Sequence, residues 1–156
     1  MNRIIVCLLL LPCFLGPLSA NADNTEPLFT RPDSKAAAEV CAGARHTASA
    51  AWWGFDQDDA TACLQQAIDS GVPRLVVPYM GTPWIIRPVT LRGNLELEFE
   101  PGVVILAKKG AFKGKGDSLF TASNCENITL RGYNAHMRMR KADYQSDAYE
   151  KAEWRM

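Results

Sequence analysis

The most constraining feature of this sequence is a segment that recurs once along the chain. NLELEFEPGVVILAK at 94–108 matches NITLRGYNAHMRMRK at 127–141 with an offset of 33 residues. A related strand-like run at 75–77 precedes the first copy by 20 residues. Short strands that recur at roughly 20 to 30 residues, with loops of variable length, are typical of a solenoid of stacked β coils.

The repeated segment has the alternation of a β-strand with one buried face. Leu95, Leu97 and Phe99 alternate with glutamates, so we expect these three side chains in the core. The match also predicts that Asn94 aligns with Asn127 and Leu97 with Leu130. Further strands are predicted at 74–78, 84–86, 89–91, 103–106, 119–122 and 128–130. A β-sandwich is the alternative fold, but the sequence lacks the dipeptides that close its tight hairpins.

Three aspartates, Asp56, Asp58 and Asp59, precede an amphipathic helix. The helix is indicated by one apolar stripe at helical spacing, and it should end at Gly71, before Pro73. The stripe consists of Ala60, Cys63, Leu64, Ala67 and Ile68. The first turn of a helix has unpaired N–H groups, so we expect Asp56 or Asp58 to cap it and Asp59 to favour its positive end. A helix start splays these carboxylates, so we interpret them as structural rather than as a metal or catalytic cluster.

The N-terminus has the pattern of an export signal. Arg3 is followed by an apolar run from Ile4 to Leu15 and by Ala20-Asn21-Ala22, a small-x-small cleavage pattern. We therefore predict a signal peptide at 1–22, a leader at 23–45 with a short helix capped by Asp33 or Ser34, and one further domain at 46–156. The protein is expected to be secreted or periplasmic, with no membrane partner after cleavage of the signal.

Composition and cysteine spacing give no indication of a nucleic-acid-binding protein or of a zinc site. The chain of 156 residues has 17 basic and 17 acidic side chains, so bulk charge gives no reason to expect a nucleic-acid partner. Cys41, Cys63 and Cys125 remain after signal cleavage, and their spacing fits no zinc motif. We interpret them as small buried apolar residues, with a Cys41–Cys63 disulfide left open. Trp52 and Trp53, in a segment predicted to be extended, should point to opposite faces, one buried and one partly exposed.

The order of four motifs resembles that of the pectin lyase-like superfamily, which includes polygalacturonases and pectate lyases. The motifs are GFDQDDATACLQQAID, RLVVP, VTLRGNLELEFEPGVVILA and NCENITLRG, and they lie within about residues 52–141. The resemblance implies a mainly β fold, a right-handed parallel β-helix whose open N-terminal end is covered by the amphipathic helix. In that family the catalytic residues and calcium ligands lie in the middle coils. This chain reaches two or three coils, so we expect a fragment that lacks the catalytic centre.

Candidate substrate-binding residues are found in the last third of the chain. If Met137 and Met139 turn inward, Arg138 and Arg140 share the outer face of one strand, where guanidinium groups suit an acidic polysaccharide. An ordinary solvated strand face is the alternative. The run Glu153-Trp154-Arg155 combines an acid, a stacking ring and a cation. No catalytic residue or metal ligand is identified from the sequence, and calcium is expected only if the protein is a lyase.

The sequence and the resemblance together predict a secreted polysaccharide-active β-helix protein, of pectate lyase or glycoside hydrolase type. They do not distinguish a hydrolase from a lyase. A non-catalytic carbohydrate-binding or surface-structural β-helix is the alternative function. A gene remnant without function is a third.

Overall fold

The computed structural model describes residues 29–114 and 116–141. In this part of the chain the protein is mainly β, with two α-helices and one short 3-10 helix. The elements follow in the order β1 (Phe29–Thr30), α1 (Ser34–Cys41), β2 (Thr47–Ser49), the 3-10 helix (Ala50–Trp53), β3 (Phe55–Asp56), α2 (Thr61–Asp69), β4 (Arg74–Val77), β5 (Trp84–Ile86), β6 (Val89–Leu91), β7 (Leu95–Phe99), β8 (Val104–Ala107), β9 (Phe120–Ala122), β10 (Ile128–Gly132) and β11 (His136–Arg138).

Parallel pairing joins strands from successive stretches of the chain. Sheet I has the order β10-β7-β4-β2, sheet II has β11-β8-β5, and sheet III has β6-β9. Every pair within these three sheets is parallel, and only the small β1–β3 pair is antiparallel among the described strands. We call 74–91 coil 1, 95–122 coil 2 and 128–138 coil 3, because each passes from sheet I to sheet II in the same order. The antiparallel sheets of a β-sandwich are not what the described residues form.

The offset of 33 residues is confirmed in the register of β7 and β10. Leu95 pairs with Ile128 and Leu97 with Leu130, and the Asn127 side-chain amide donates a hydrogen bond to Asn94 Oδ1 at 2.9 Å. Leu75 lies on the other side of Leu97. One row of leucines therefore crosses all three coils.

The two stacked asparagines also share an unusual backbone conformation, with φ of 54° at Asn94 and 58° at Asn127. Left-handed backbone is costly for most side chains but readily adopted by asparagine and glycine. We expect Asn94→Ala to lower the free energy of unfolding by about 1 to 2 kcal/mol, from strain and the lost hydrogen bond. Asn94→Gly should lose less. Urea unfolding of both variants tests this, and equal losses for alanine and glycine would contradict the backbone part of the argument.

The core lies between the three sheets and under α2. Strand residues that point inward are buried in β4 to β8, including Leu75, Leu97 and Ile105. The Trp84 ring meets Phe55 edge-on with ring centroids 4.8 Å apart, and Trp84 Nε1 donates to the carbonyl of Pro78 at 3.0 Å. The indole N–H is therefore satisfied although the side chain is buried.

Both predicted helices are confirmed. Asp33 caps α1, since its Oδ1 accepts from the N–H of Ala36 at 3.0 Å. In α2 the apolar stripe faces the core, with Leu64, Ala67 and Ile68 buried. Gly71 follows α2 with a φ of 88°, as the sequence predicted.

Helix α2 covers the first strands of sheets II and III. The N–H of Ala60, just before α2, donates to the carbonyl of Ile85 in β5 at 2.8 Å. The Gln65 side-chain amide makes two hydrogen bonds to the backbone of Thr90 in β6, at 3.0 and 2.9 Å. These contacts satisfy backbone groups that an edge strand would otherwise leave open.

The tryptophan prediction was wrong. Trp52 and Trp53 lie in the 3-10 helix rather than in an extended segment, and both are half-buried. A tight helical turn does not send neighbouring side chains to opposite faces, so the alternation argument does not apply. The Arg45 guanidinium lies 5.1 Å from the centre of the Trp52 ring.

Candidate functional site

Two of the five predicted substrate-binding residues fall in the described part of the chain. Arg138 is the last residue of β11, and Arg140 follows two residues later. Glu153, Trp154 and Arg155 lie outside the described residues, and so do the predicted signal peptide and residues 23–28 of the leader.

Met137 and Met139 were expected to turn inward, but they are not buried. Met137 pairs in register with the buried Ile105, which keeps it on the inner row. Nevertheless Met137 is 48% and Met139 38% exposed, because no described strand lies on the far side of coil 3. Alternation predicts the face of a strand, whereas burial also requires a neighbour on that face.

Arg138 has the properties of a free surface cation. It is exposed, and it pairs in register with Leu106, which in turn pairs with Ile85. Among the described residues it takes part in no ion pair. Arg138 is therefore available for an anionic ligand on the outer face of sheet II.

Part of the Arg140 side chain is used in a hydrogen bond within the fold. It is half-buried, and its Nε donates a hydrogen bond to the carbonyl of Ala107 at 2.8 Å. That bond satisfies a carbonyl just beyond the pairing of β8 with β11. Continuing the register by two residues places Arg140 beside Lys108. Arg140 thus holds the chain just after β11 against β8, and within 29–114 and 116–141 its terminal nitrogens make no hydrogen bond.

A charged cluster next to this face was not predicted from the sequence. Asp59 Oδ2 accepts from Lys108 Nζ at 2.8 Å and from Arg87 Nε at 2.9 Å. Three distant stretches of the chain contribute to it, and only the stacking of coil 1, coil 2 and the start of α2 brings them together. Asp59 forms ion pairs with the two cations nearest α2, whereas Arg138 and Arg140 form none with the residues that the structure describes.

Neither Asp56 nor Asp58 caps α2 as predicted: the N-cap position is Ala60, which has no capping side chain, and Asp59 just before it supplies the acceptor. Asp59 Oδ1 accepts from the N–H of Thr61, the first residue of α2, at 3.2 Å. Asp56 Oδ1 instead accepts from the N–H of Asp58 at 2.8 Å, within the preceding turn. Burial tends to raise the pKa of Asp59, but hydrogen bonds from Lys108, Thr61 and Arg87 outweigh it and hold that pKa well below its usual range.

The outer face of sheet I carries a second set of charges, which neutralise one another. Arg74 forms an ion pair with Glu98, and Arg131 bridges Glu96 at 2.6 Å and Glu98 at 3.3 Å. The hydrogen bond from Arg74, supported by Arg131, holds the pKa of Glu98 below its ordinary value. Two carboxylates do lie close together here, and each forms an ion pair with an arginine.

The cysteines form no disulfide in the described chain. Cys41, Cys63 and Cys125 are all free, so the Cys41–Cys63 bridge is not formed. Cys41 is exposed, which contradicts the expectation that all three are buried. Burial raises the pKa of the Cys63 thiol to about 11, which makes it a poor nucleophile at neutral pH.

No cluster of three or more His, Cys, Asp or Glu side chains suited to a metal ion occurs within 29–114 and 116–141. Among the same residues, no helix is both long enough and apolar enough to cross a membrane. Comparisons of the chain with protein-family models, with curated proteins and with solved structures found no match.

Proposed function

We propose that this chain forms the first coils of a right-handed parallel β-helix of the pectin lyase-like kind. Three observations support it: the repeated passage from sheet I to sheet II, the parallel pairing of successive coils, and the hydrogen bonds from α2 to the edge strands β5 and β6. A solenoid needs such a cover at its first coil, because an uncovered strand edge invites pairing with other chains.

We further propose that the protein acts on a polysaccharide outside the cytoplasm, and that coil 3 contributes a contact to acidic sugars. The observation that carries this proposal is that Arg138 is exposed and has no acidic partner among the described residues. Arg140, two residues further on, makes one hydrogen bond to the backbone of Ala107. A planar guanidinium can bind a uronate carboxylate with two parallel hydrogen bonds. The polysaccharide binds on the outer face of sheet II in this proposal.

A non-catalytic binding role is the second candidate function. It is favoured because the carboxylates described above form ion pairs with basic side chains. Cleavage by a hydrolase requires two carboxyl groups with separate roles, whereas Glu96, Glu98 and Asp59 are each engaged by basic side chains.

Replacing Arg138 tests the binding proposal. We expect the protein to bind polygalacturonate, and Arg138→Ala to weaken that binding about three- to tenfold, the range for a charged hydrogen-bonded pair near solvent. Arg138→Lys should recover only part of it, because an ammonium lacks the planar fork. Isothermal titration calorimetry at low and moderate salt provides the measurement.

Lys35→Ala is the matched control, since Lys35 is an exposed cation on α1, far along the chain from coil 3. Equal affinities for the Arg138 and Lys35 variants, or the absence of any binding by the unmodified protein, would remove the basis of this proposal.

A further inference from the structure

The turns between sheet I and sheet II lie on one corner of the molecule in all three coils. They comprise residues 78–83 in coil 1, 100–103 in coil 2 and 133–135 in coil 3. The register of Val77, Phe99 and Gly132 brings the start of each turn beside the next. Three stacked turns extend over two strand spacings, or about 10 Å.

Two tyrosines stand out on this corner. Tyr79 is 56% exposed and Tyr133 is 85% exposed. In coil 2 the corresponding turn carries Pro101 and Gly102 after Glu100, whose carboxylate accepts from the N–H of Tyr79. Together Tyr79, Pro101 and Tyr133 form an apolar strip, which we call the corner strip.

The backbone under the corner strip is fixed by contacts between coils. The N–H of Tyr79 donates to Glu100 Oε2 at 2.8 Å, and the N–H of Gly102 donates to the carbonyl of Asn134 at 3.0 Å. A side-chain carbon added at Gly102 would lie 3.7 Å from the Tyr79 ring, so the ring lies along the next turn. The positive φ of 85° at Gly102 and 55° at Asn134 lets both turns stay tight.

The chemistry of the corner strip suits the face of an uncharged sugar ring. A tyrosine ring offers an apolar face with a polar edge, which matches a pyranose ring with its C–H face and hydroxyl rim. Glu100 is the one charged side chain in these three turns, and it would repel a uronate or a phosphate. The strip is one side chain wide, which is narrow for a protein interface with a fully desolvated centre but matches a single extended glycan chain.

We propose that the corner strip binds uncharged hexose units of a polysaccharide by stacking, with the glycan running across the three coils. This rests on the proposed function for the class of ligand, but it uses a different face and different residues from Arg138. The protein thus has two glycan contacts, a basic one on the outer face of sheet II and an aromatic one at the corner between sheets I and II.

Affinity electrophoresis in native gels containing hydroxyethylcellulose tests the corner strip. We expect the unmodified protein to be retarded, and Tyr133→Ala to bind about fivefold more weakly, which corresponds to a stacking contribution of about 1 kcal/mol. Tyr79→Ala should have a similar effect. Tyr133→Phe should retain most of the affinity, because the ring face is kept.

Lys35→Ala is the control, since Lys35 is exposed on α1 and belongs to neither proposed glycan contact, so it should leave retardation by hydroxyethylcellulose unchanged. Thermal unfolding of each tyrosine variant checks that the fold is intact; both side chains are exposed, so a small shift is expected. An unmodified protein that is not retarded, or a Tyr133→Ala variant that is retarded as strongly as the unmodified protein, would overturn the corner strip even if Arg138 binds polygalacturonate. Binding of hydroxyethylcellulose without binding of polygalacturonate would support the strip and contradict the role of Arg138.

Discussion

Replacing Leu97 by alanine is expected to lower the free energy of unfolding by about 3 to 4 kcal/mol. Leu97 is fully buried and lies between Leu75 and Leu130 in the row that crosses the three coils. Truncation removes apolar area and leaves a cavity, because the two neighbouring strands are held apart by their backbone pairing. Chemical denaturation with urea measures the loss.

Leu130→Ala is the matched variant for this row. It removes the same atoms at the same register position, but in coil 3, where Leu130 is already 40% exposed. We expect it to cost about 1 kcal/mol or less, since less area is buried and water fills the space. Equal costs at Leu97 and Leu130 would contradict the stacking order in which coil 2 is the inner layer.

Replacing Asp59 is expected to have the second largest effect. Asp59→Ala removes the acceptor for the first N–H of α2 and the partner of Lys108 and Arg87. A lost helix cap costs about 1 kcal/mol, and leaving a half-buried lysine without its carboxylate costs a further 1 to 2 kcal/mol, so we expect a loss of about 2 to 3 kcal/mol. Asp58→Ala is the control, because the Asp58 side chain is exposed.

Asp59→Asn distinguishes the effect of the charge from the effect of the helix cap. The charge makes the free energy of unfolding depend on pH. Asparagine keeps the capping oxygen but removes the attraction to Lys108 and Arg87. The folded protein holds the pKa of Asp59 below its usual range, so the carboxylate stabilises the fold fully above its ordinary pKa of about 3.9. This stabilisation is lost as the pH falls through the lowered pKa of the folded state. The unmodified protein should therefore lose more stability than Asp59→Asn between about pH 5 and pH 2. Parallel slopes for the two proteins in that range would contradict the assignment.

The repeated strands could be predicted from the sequence because each repeat obeys the same local rules. Alternation at Leu95, Leu97 and Phe99 predicted their inner face, and the offset of 33 predicted the register of coils 2 and 3. A period of two residues fixes which face a side chain takes. It does not fix burial, and so the exposure of Met137 was not predicted.

The ion pairs of Asp59 and the corner strip were not predicted from the sequence, because both depend on contacts between coils. The helical pattern predicted α2 but not which aspartate caps it. Asp59 is held in place by Lys108 and Arg87, and these two residues come near it only when the coils stack. The corner strip was missed for the same reason. Tyr79 and Tyr133 are far apart in the sequence and belong to turns of different length, so no fixed spacing connects them.

The parallel stacking of coils 2 and 3 is the central claim, since both proposed glycan contacts depend on it. Nuclear Overhauser measurements between β7 and β10 in the isotope-labelled protein test it most directly. Parallel strands in this register bring the Cα proton of one strand close to amide protons of its neighbour, and we expect such cross-peaks around Leu97 and Leu130. Close contacts between Cα protons of the two strands would indicate an antiparallel pair. That result, or the absence of any contact between β7 and β10, would contradict the stacked coils.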